Sequence, residues 1–218
     1  MFWRDAMLLF ILFILLAEKF HVECYAQKVE NFTQNIIYID KFRQNQNMND
    51  ESPIHQFYFK TQPNYSALDI SSTGDLFVKI PELSIAFHHQ RPLLCRIDYR
   101  GSLYTPVAGH HTFHRIMIDN KILRSNKLIP NSPERGNAIS PSTSSLYHVD
   151  AFAGSVFWGA VSLDLGVSNS EVVYLKPGTH TIDVAVRTAG RAIFQSGELR
   201  IELIELQSQT NINLPFLS

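Results

Sequence analysis

Two runs near the end of the chain alternate apolar and polar residues with the period of a β-strand. They cover residues 180–187 (HTIDVAVR) and residues 198–203 (ELRIEL), and residues 188–191 (TAGR) form a turn between them. Because successive side chains of a strand point to opposite faces, each run has one apolar and one polar face. The pattern predicts antiparallel strands whose apolar face packs on a core and whose polar face meets solvent.

The same alternation of strand-like runs and turn residues occurs through most of the chain before residue 180. Asp119-Asn120 and Pro177-Gly178 mark tight turns between apolar runs. About eight to ten short strands separated by turn residues predict an all-β fold, an antiparallel β-sandwich with jelly-roll character. The strand segments of the sandwich are residues 76–80, 83–88, 93–99, 112–118, 121–123, 155–165, 172–175, 180–187 and 197–206, and two further strand candidates, 35–40 and 54–60, precede it.

We expect the sandwich domain to span residues 67–206. An N-terminal extension at 27–66 carries one or two short strands, and residues 207–218 form a C-terminal tail. Residues 124–145 break the strand rhythm because they are rich in Ser, Pro and Asn. Loops of this length inside a compact domain are usually functional or disordered, so we interpret the segment as an excursion between two strands.

Residues 1–26 have the features of a secretory signal peptide. Arg4 precedes an apolar run at residues 7–17 (MLLFILFILLA), and small residues, Cys24 and Ala26, stand three and one positions before a cleavage site. The alternative is an uncleaved anchor, but a membrane-spanning helix needs about 20 apolar residues and this run is shorter. We therefore predict a secreted protein that has no membrane contact after cleavage.

The net charge argues against a nucleic-acid partner, and two sequence motifs predict attached glycans. The chain has 19 Lys and Arg against 20 Asp and Glu, so it lacks the positive field that nucleic-acid binding requires. Asn31 and Asn64 each begin an Asn-X-Ser/Thr sequon and are predicted glycosylation sites.

Cysteine occurs only as Cys24 and Cys95. Cys95 shares one face of its strand with Leu93 and Ile97, which predicts a buried thiol. An intermolecular disulfide is the alternative for an odd cysteine in a secreted chain. Cleavage after Ala17 would instead retain Cys24 and permit a Cys24–Cys95 bridge.

Histidines and one tryptophan are the candidate site residues. His110, His111 and His114 lie close in sequence and carry the imidazole ligands that zinc and copper prefer. On a strand, however, His110 and His114 face one way and His111 the other, so a shared metal would need a loop or bulge. Trp158, beside Gly159, is the aromatic residue expected to be exposed as a ligand surface. Core packing is the alternative for it, as for the other large aromatics.

No catalytic motif is present: the sequence has no Gly-x-Ser-x-Gly elbow, P-loop or dinucleotide fingerprint. Asp98, Asp119, Asp164 and Asp183 lie at strand or turn positions that solvated faces explain. We accordingly predict no catalytic residues and no cofactor.

The strand rhythm of residues 67–206 is similar to that of extracellular jelly-roll domains of the C1q and tumour-necrosis-factor type. Residues 174–180 (YLKPGTH), which enter a strand, and the terminal strand at 197–206 (GELRIELIEL) carry the resemblance. The resemblance implies that the protein is secreted and that it assembles into a homo-oligomer, specifically a trimer. The leading hypothesis is a secreted, non-enzymatic binding module for a protein partner or a glycan. The alternatives are a secreted hydrolase on the same scaffold and a structural matrix or coat component.

Overall fold

A computed structural model describes residues 54–63, 67–138, 145–152, 156–159, 163–205 and 215–217, and strands account for most of these residues. The predicted signal peptide and both sequons lie outside these residues. The strands are β1 (Ile54–Thr61), β2 (Leu68–Ile70), β3 (Val78–His89), β4 (Leu93–Thr105), β5 (His110–Ile118), β6 (Lys121–Arg124), β7 (Lys127–Pro130), β8 (Val156–Gly159), β9 (Leu163–Leu175), β10 (Gly178–Thr188) and β11 (Ala192–Glu205). A 3-10 helix (Pro133–Ala138) and helix α1 (Leu146–Asp150) lie between β7 and β8.

The strands form two antiparallel sheets that pack face to face. The first sheet has the order β1-β11-β4-β9, with β2 beside β11. The second has the order β3-β10-β5-β6-β7, with β8 beside β5. The buried side chains of both sheets meet in one core cluster. The predicted all-β sandwich is therefore confirmed.

The pairing of the strands is nested. The first strand pairs with the last (β1 with β11), β3 pairs with β10, β4 with β9 and β5 with β8, and all four pairs are antiparallel. Such nesting is what one long hairpin produces when it rolls up into a sandwich, which is jelly-roll connectivity. β1, which the sequence placed ahead of the domain, pairs with β11 from Ile54 to Thr61 and thus belongs to the sandwich.

Cys95 lies in the core between the sheets, and its side chain is fully buried. The prediction of a buried thiol is confirmed, and β4 buries Leu93 and Ile97 on the same face. Burial also raises the pKa of the thiol, which keeps it protonated. A sulfur in this position cannot reach another chain without unfolding of the sheet, which removes the basis for an intermolecular disulfide.

The second sheet is buried on both faces. A second apolar cluster covers its outer face and consists of Phe77, Phe113, Met117, Ile122 and Ala185. The sequence predicted a solvated polar face for β10, and this was wrong. Asp183 and Arg187 of that face are both buried, because Asp150 of α1 contacts Arg187 and Lys79 of β3 contacts Asp183.

Residues 124–145 are more ordered than their composition suggested. The described part contains β7, which forms a hairpin with β6, and the 3-10 helix. Both residues of the β5–β6 turn have positive φ, 53° at Asp119 and 63° at Asn120, as a two-residue hairpin turn requires. The predicted turn is thus confirmed.

Candidate functional site

An exposed aromatic surface lies where β5, β8 and α1 meet. His111 of β5 is paired with Trp158 of β8, and their ring centroids lie 4.3 Å apart. Tyr147 of α1 meets the ring of His111 edge-on, with the two ring centroids 4.8 Å apart. Trp158 is 49 % exposed and Tyr147 is 39 % exposed. We call these three residues the aromatic platform.

Neighbouring side chains fix the imidazole in the middle of the platform. Phe113, two residues further along β5, stacks near His111 at 6.0 Å, and the guanidinium of Arg187 lies 4.2 Å above the Phe113 ring. Partial burial lowers the pKa of His111, and the positive charge of Arg187 lowers it further. His111 is therefore neutral at physiological pH, so its ring offers both a hydrogen-bond donor and an acceptor.

Helix α1 is attached to the sheet by a buried cluster of charged residues, which we call the Asp150 cluster. Asp150 accepts two hydrogen bonds from Arg135, at 2.8 Å to Oδ1 and 2.5 Å to Oδ2, and both side chains are fully buried. The Nε of Arg187 lies 2.6 Å from the same Oδ2 as an ion-pair contact. Arg115 donates to the backbone oxygen of Asp150 at 2.8 Å. These contacts place Tyr147, three residues before Asp150, beside the sheet.

Two arginines of the cluster, Arg115 and Arg187, remain charged despite their burial. Burial lowers the pKa of Arg115 to about 10, while Asp150 opposes the shift. The pKa of Arg187 is lowered by the same cause, with Asp150 again opposing. The carboxylate of Asp150 faces both Arg135 and Arg187, while the exposed carboxylate of Asp75 lies 4.0 Å from Arg187. Loss of Asp150 would therefore leave Arg135 as a buried charge without its carboxylate partner.

The three clustered histidines do not converge. His110 and His114 face the interior between the sheets, and His111 faces outward to the platform. The ring of His110 packs against Gly190, and Nε2 of His114 donates to the backbone oxygen of Ser168 at 3.2 Å. Among the residues that the structure describes, no group of three or more His, Cys, Asp or Glu side chains is placed to hold a metal ion. The predicted metal site at His110, His111 and His114 therefore has no support in this geometry.

The four aspartates considered as catalytic candidates each have a basic or hydroxyl-bearing partner. Asp98 contacts Arg96 and Ser170, Asp164 contacts Ser102, Asp119 contacts His180, and Asp183 contacts Lys79 and Ser84. These contacts give the hydrolase hypothesis no positive support.

The other aromatic candidates have structural partners. Tyr99 and Phe157 pack in or against the core, and Tyr174 stacks on Phe216 at 4.3 Å. Phe152 lies under the guanidinium of Arg124 at 4.3 Å. Sequence reasoning singled out Trp158 and His111 but missed Tyr147, because α1 is too short to leave a periodic signal.

Comparison with known protein families and with curated proteins found no match to this chain. No helix within the described residues is both long and apolar enough to cross a membrane.

Proposed function

We propose that the protein is a secreted, non-enzymatic binding module that recognises a glycan through the aromatic platform. The observation that carries the proposal is the exposure of Trp158 and Tyr147, both of which contact a neutral imidazole. A buried ionic cluster keeps this arrangement in place. Exposed large aromatics held by a rigid support are typical of a recognition surface.

The chemistry of the platform suits a sugar ring. A pyranose has a face of C–H groups and a rim of hydroxyls. The C–H face can therefore stack on an indole while the rim hydroxyls form hydrogen bonds. One side of Trp158 contacts His111, which leaves the other side for such stacking. The neutral ring of His111 and the phenol of Tyr147 supply hydrogen-bonding groups beside it.

The exposed area of Trp158 sets the expected energy. A tryptophan offers roughly 250 Å² of surface, and 49 % exposure leaves about half of it open. A sugar that covers about half of the open area removes roughly 60 Å² from water. At about 25 cal/mol per Å² this contributes about 1.5 kcal/mol, or roughly tenfold in affinity.

A glycan array with the purified, labelled protein tests the proposal, followed by calorimetry with the free glycans that bind. Trp158→Ala is expected to lower affinity about tenfold and Tyr147→Ala to lower it by a smaller factor. Phe57→Ala is the matched control, because Phe57 is similarly exposed (44 %) but lies on β1 of the other sheet. Equal affinity of Trp158→Ala and wild type, or no binding to any glycan on the array, would contradict the proposal.

A second candidate function is binding of a protein partner, and the first partner to test is a further copy of this chain. Phe57 and Phe59 of β1 are both exposed and lie opposite Glu202 and Arg200 of β11. This aromatic edge beside alternating charges favours a protein contact, and the resemblance to trimeric jelly-roll domains suggests three copies. Light scattering on a sizing column should give a mass near three protomers, reduced by Phe59→Ser. A monomeric mass at all concentrations would exclude this second function. A mass that keeps increasing with concentration would instead indicate a structural coat component.

A further inference from the structure

The outer face of the first sheet carries a regular pattern of charge. Its two central strands, β11 and β4, are paired so that each outward acid lies beside an outward base of the neighbouring strand. The three cross-strand pairs are Glu198 with Arg100, Arg200 with Asp98, and Glu202 with Arg96. The sign of the charge also alternates along each of the two strands. We call these six residues the charged face.

All six side chains of the charged face are accessible to a partner. The exposed side-chain fraction is 56 % for Arg96, 57 % for Arg200 and 24–28 % for the three acids, and Arg100 is exposed as well. Together with Phe57 these residues line a shallow hollow of about 260 Å³. A partner that covers this face can therefore contact each of the charges directly.

The pattern of charge indicates what kind of partner fits. Three acids and three bases leave the face without net charge, so it does not select a strongly acidic or basic partner. The 3.0 Å ion pair between Arg96 and Asp98 along β4 holds the two neighbouring charges in their alternating positions. An alternating pattern is complemented by a second alternating pattern in the opposite phase. A second copy of this chain presents that pattern.

One symmetry operation brings two charged faces together in the opposite phase. A two-fold axis that runs along the strands, midway between β11 and β4, places β11 of one copy over β4 of the other. The rotation keeps each residue at its position along the strands but exchanges the two strands. The resulting contacts are Glu198 with Arg100, Arg200 with Asp98, and Glu202 with Arg96 of the second copy. Every contact joins opposite charges, and the symmetry forms each of them twice.

The same rotation covers two exposed apolar side chains at the edges of the sheet. Phe57 of β1 and Val172 of β9 lie at opposite ends of one cross-strand row, because Phe57 is paired with Glu202 and Val172 with Arg96. They are 44 % and 48 % exposed. Since the rotation places β1 of one copy over β9 of the other, each Phe57 meets Val172 of the second copy. Burial of this apolar pair favours the same arrangement as the charges do.

The charges also exclude the other face-to-face arrangement. A two-fold axis that crosses the strands at Arg200 would place this residue on its own copy and Glu198 on Glu202 of the second copy. Like charges in contact disfavour that pairing.

The face is large enough for a stable dimer. It is four strands wide and follows the 13 residues of β4. At about 4.8 Å per strand and about 3.4 Å per residue it covers roughly 800 Å² per protomer, the area of a standard interface.

We infer that the charged face joins two copies of this chain into a two-fold dimer. The inference rests on the second candidate function, the binding of further copies, and not on glycan recognition, because the platform belongs to the second sheet. A two-fold contact is complete with two copies. The expected assembly is therefore a dimer and not the trimer that the resemblance suggests.

The test is a charge exchange between two variants of the full chain, with mass measured by light scattering over a range of concentrations. Wild type should have the mass of two protomers. Arg200→Glu and Asp98→Lys each place like charges opposite each other in the dimer, so each alone should raise the dissociation constant by roughly a hundredfold. An equal mixture of the two variants should form the dimer again, because the new carboxylate at position 200 then faces the new ammonium at position 98.

A matched control reverses an exposed charge elsewhere. Lys127→Glu lies on β7 of the second sheet and should dimerise as wild type does. If Arg200→Glu or Asp98→Lys fails to fold, Arg96→Glu and Glu202→Lys provide the same exchange in the neighbouring row.

The inference is overturned if wild type is monomeric at all concentrations, if the reversals leave the dissociation constant unchanged, or if the mixture of folded variants stays monomeric. A mass of three protomers would overturn the two-fold dimer while supporting the second candidate function. Glycan affinity should be the same in all of these variants, so the result on the glycan array is independent of this test.

Discussion

Replacing Asp150 with Asn should destabilise the fold more than any surface substitution, because it leaves the fully buried Arg135 without a carboxylate partner and leaves Arg187 only the exposed Asp75, 4.0 Å away. Arg135 is fully buried and donates two hydrogen bonds to Asp150, and Arg187 lies 2.6 Å from the same carboxylate. Removal of one partner from a buried ion pair costs about 3–5 kcal/mol. For a domain with about 5–15 kcal/mol of total stability this is a large fraction. In a chain of this size it corresponds to a fall in Tm of roughly 6–20 °C.

Thermal and urea unfolding of Asp150→Asn, followed by circular dichroism, measures this effect. Asp69→Asn is the matched control, because Asp69 also accepts two hydrogen bonds from one arginine, at 3.0 and 2.7 Å from Arg191, but both side chains are exposed. Exposed pairs contribute little, so the control should be indistinguishable from wild type. If Asp150→Asn and Asp69→Asn unfold at the same temperature, the reasoning from buried charge is refuted.

Three further predictions follow from single positions. In a Cys24→Ser background, native protein should resist a thiol reagent and react at Cys95 only in denaturant; rapid labelling of the native state would contradict its burial. Asn120→Val should cost about 1–2 kcal/mol in urea unfolding because φ is positive there, whereas Asn120→Gly should cost nothing; equal effects would exclude the assigned turn. Burial lowers the pKa of His114, so below about pH 6.5 the unfolded state binds a proton that the folded state does not. Stability should therefore fall on acidification, and His114→Gln should flatten this dependence; an unchanged pH profile would show that His114 does not contribute.

The two-residue period of apolar side chains was enough to predict the fold class. Most strands have one apolar face, and these faces pack together as the core between the two sheets. The alternation at Leu199, Ile201 and Leu203 corresponds to β11 as the structure has it. The middle of β9, residues 166–171, was not predicted as strand, and the start of β9 was joined with β8 in one predicted strand at 155–165. Gly166, Ser168 and Ser170 occupy outward positions of a strand at the sheet edge, where no packing demands apolar residues. The sequence predicted separate strands at 76–80 and 83–88 on either side of Pro81, yet β3 runs through this proline. β3 is an edge strand, and Glu82 with φ of 67° marks an irregularity there.

The candidate site could be predicted only in part. Trp158 was singled out, and adjacent strands bring His111 to it, but strand pairing between distant segments is not readable from a single sequence. The Asp150 cluster was hidden because Arg135 looks like a solvated loop residue in the Ser- and Pro-rich stretch at 124–145, and Asp150 follows that stretch outside any predicted strand. Only the folded arrangement shows that they are buried and paired with Arg187 from β10.

The most direct test of glycan recognition at the platform is tryptophan fluorescence. The chain contains two tryptophans, Trp3 and Trp158, so in a Trp3→Phe variant the emission reports Trp158 alone. Titration with a glycan selected on the array should change the emission saturably, at the same concentrations at which calorimetry detects binding. Calorimetric binding without any change in Trp158 emission would place the ligand elsewhere and contradict the account.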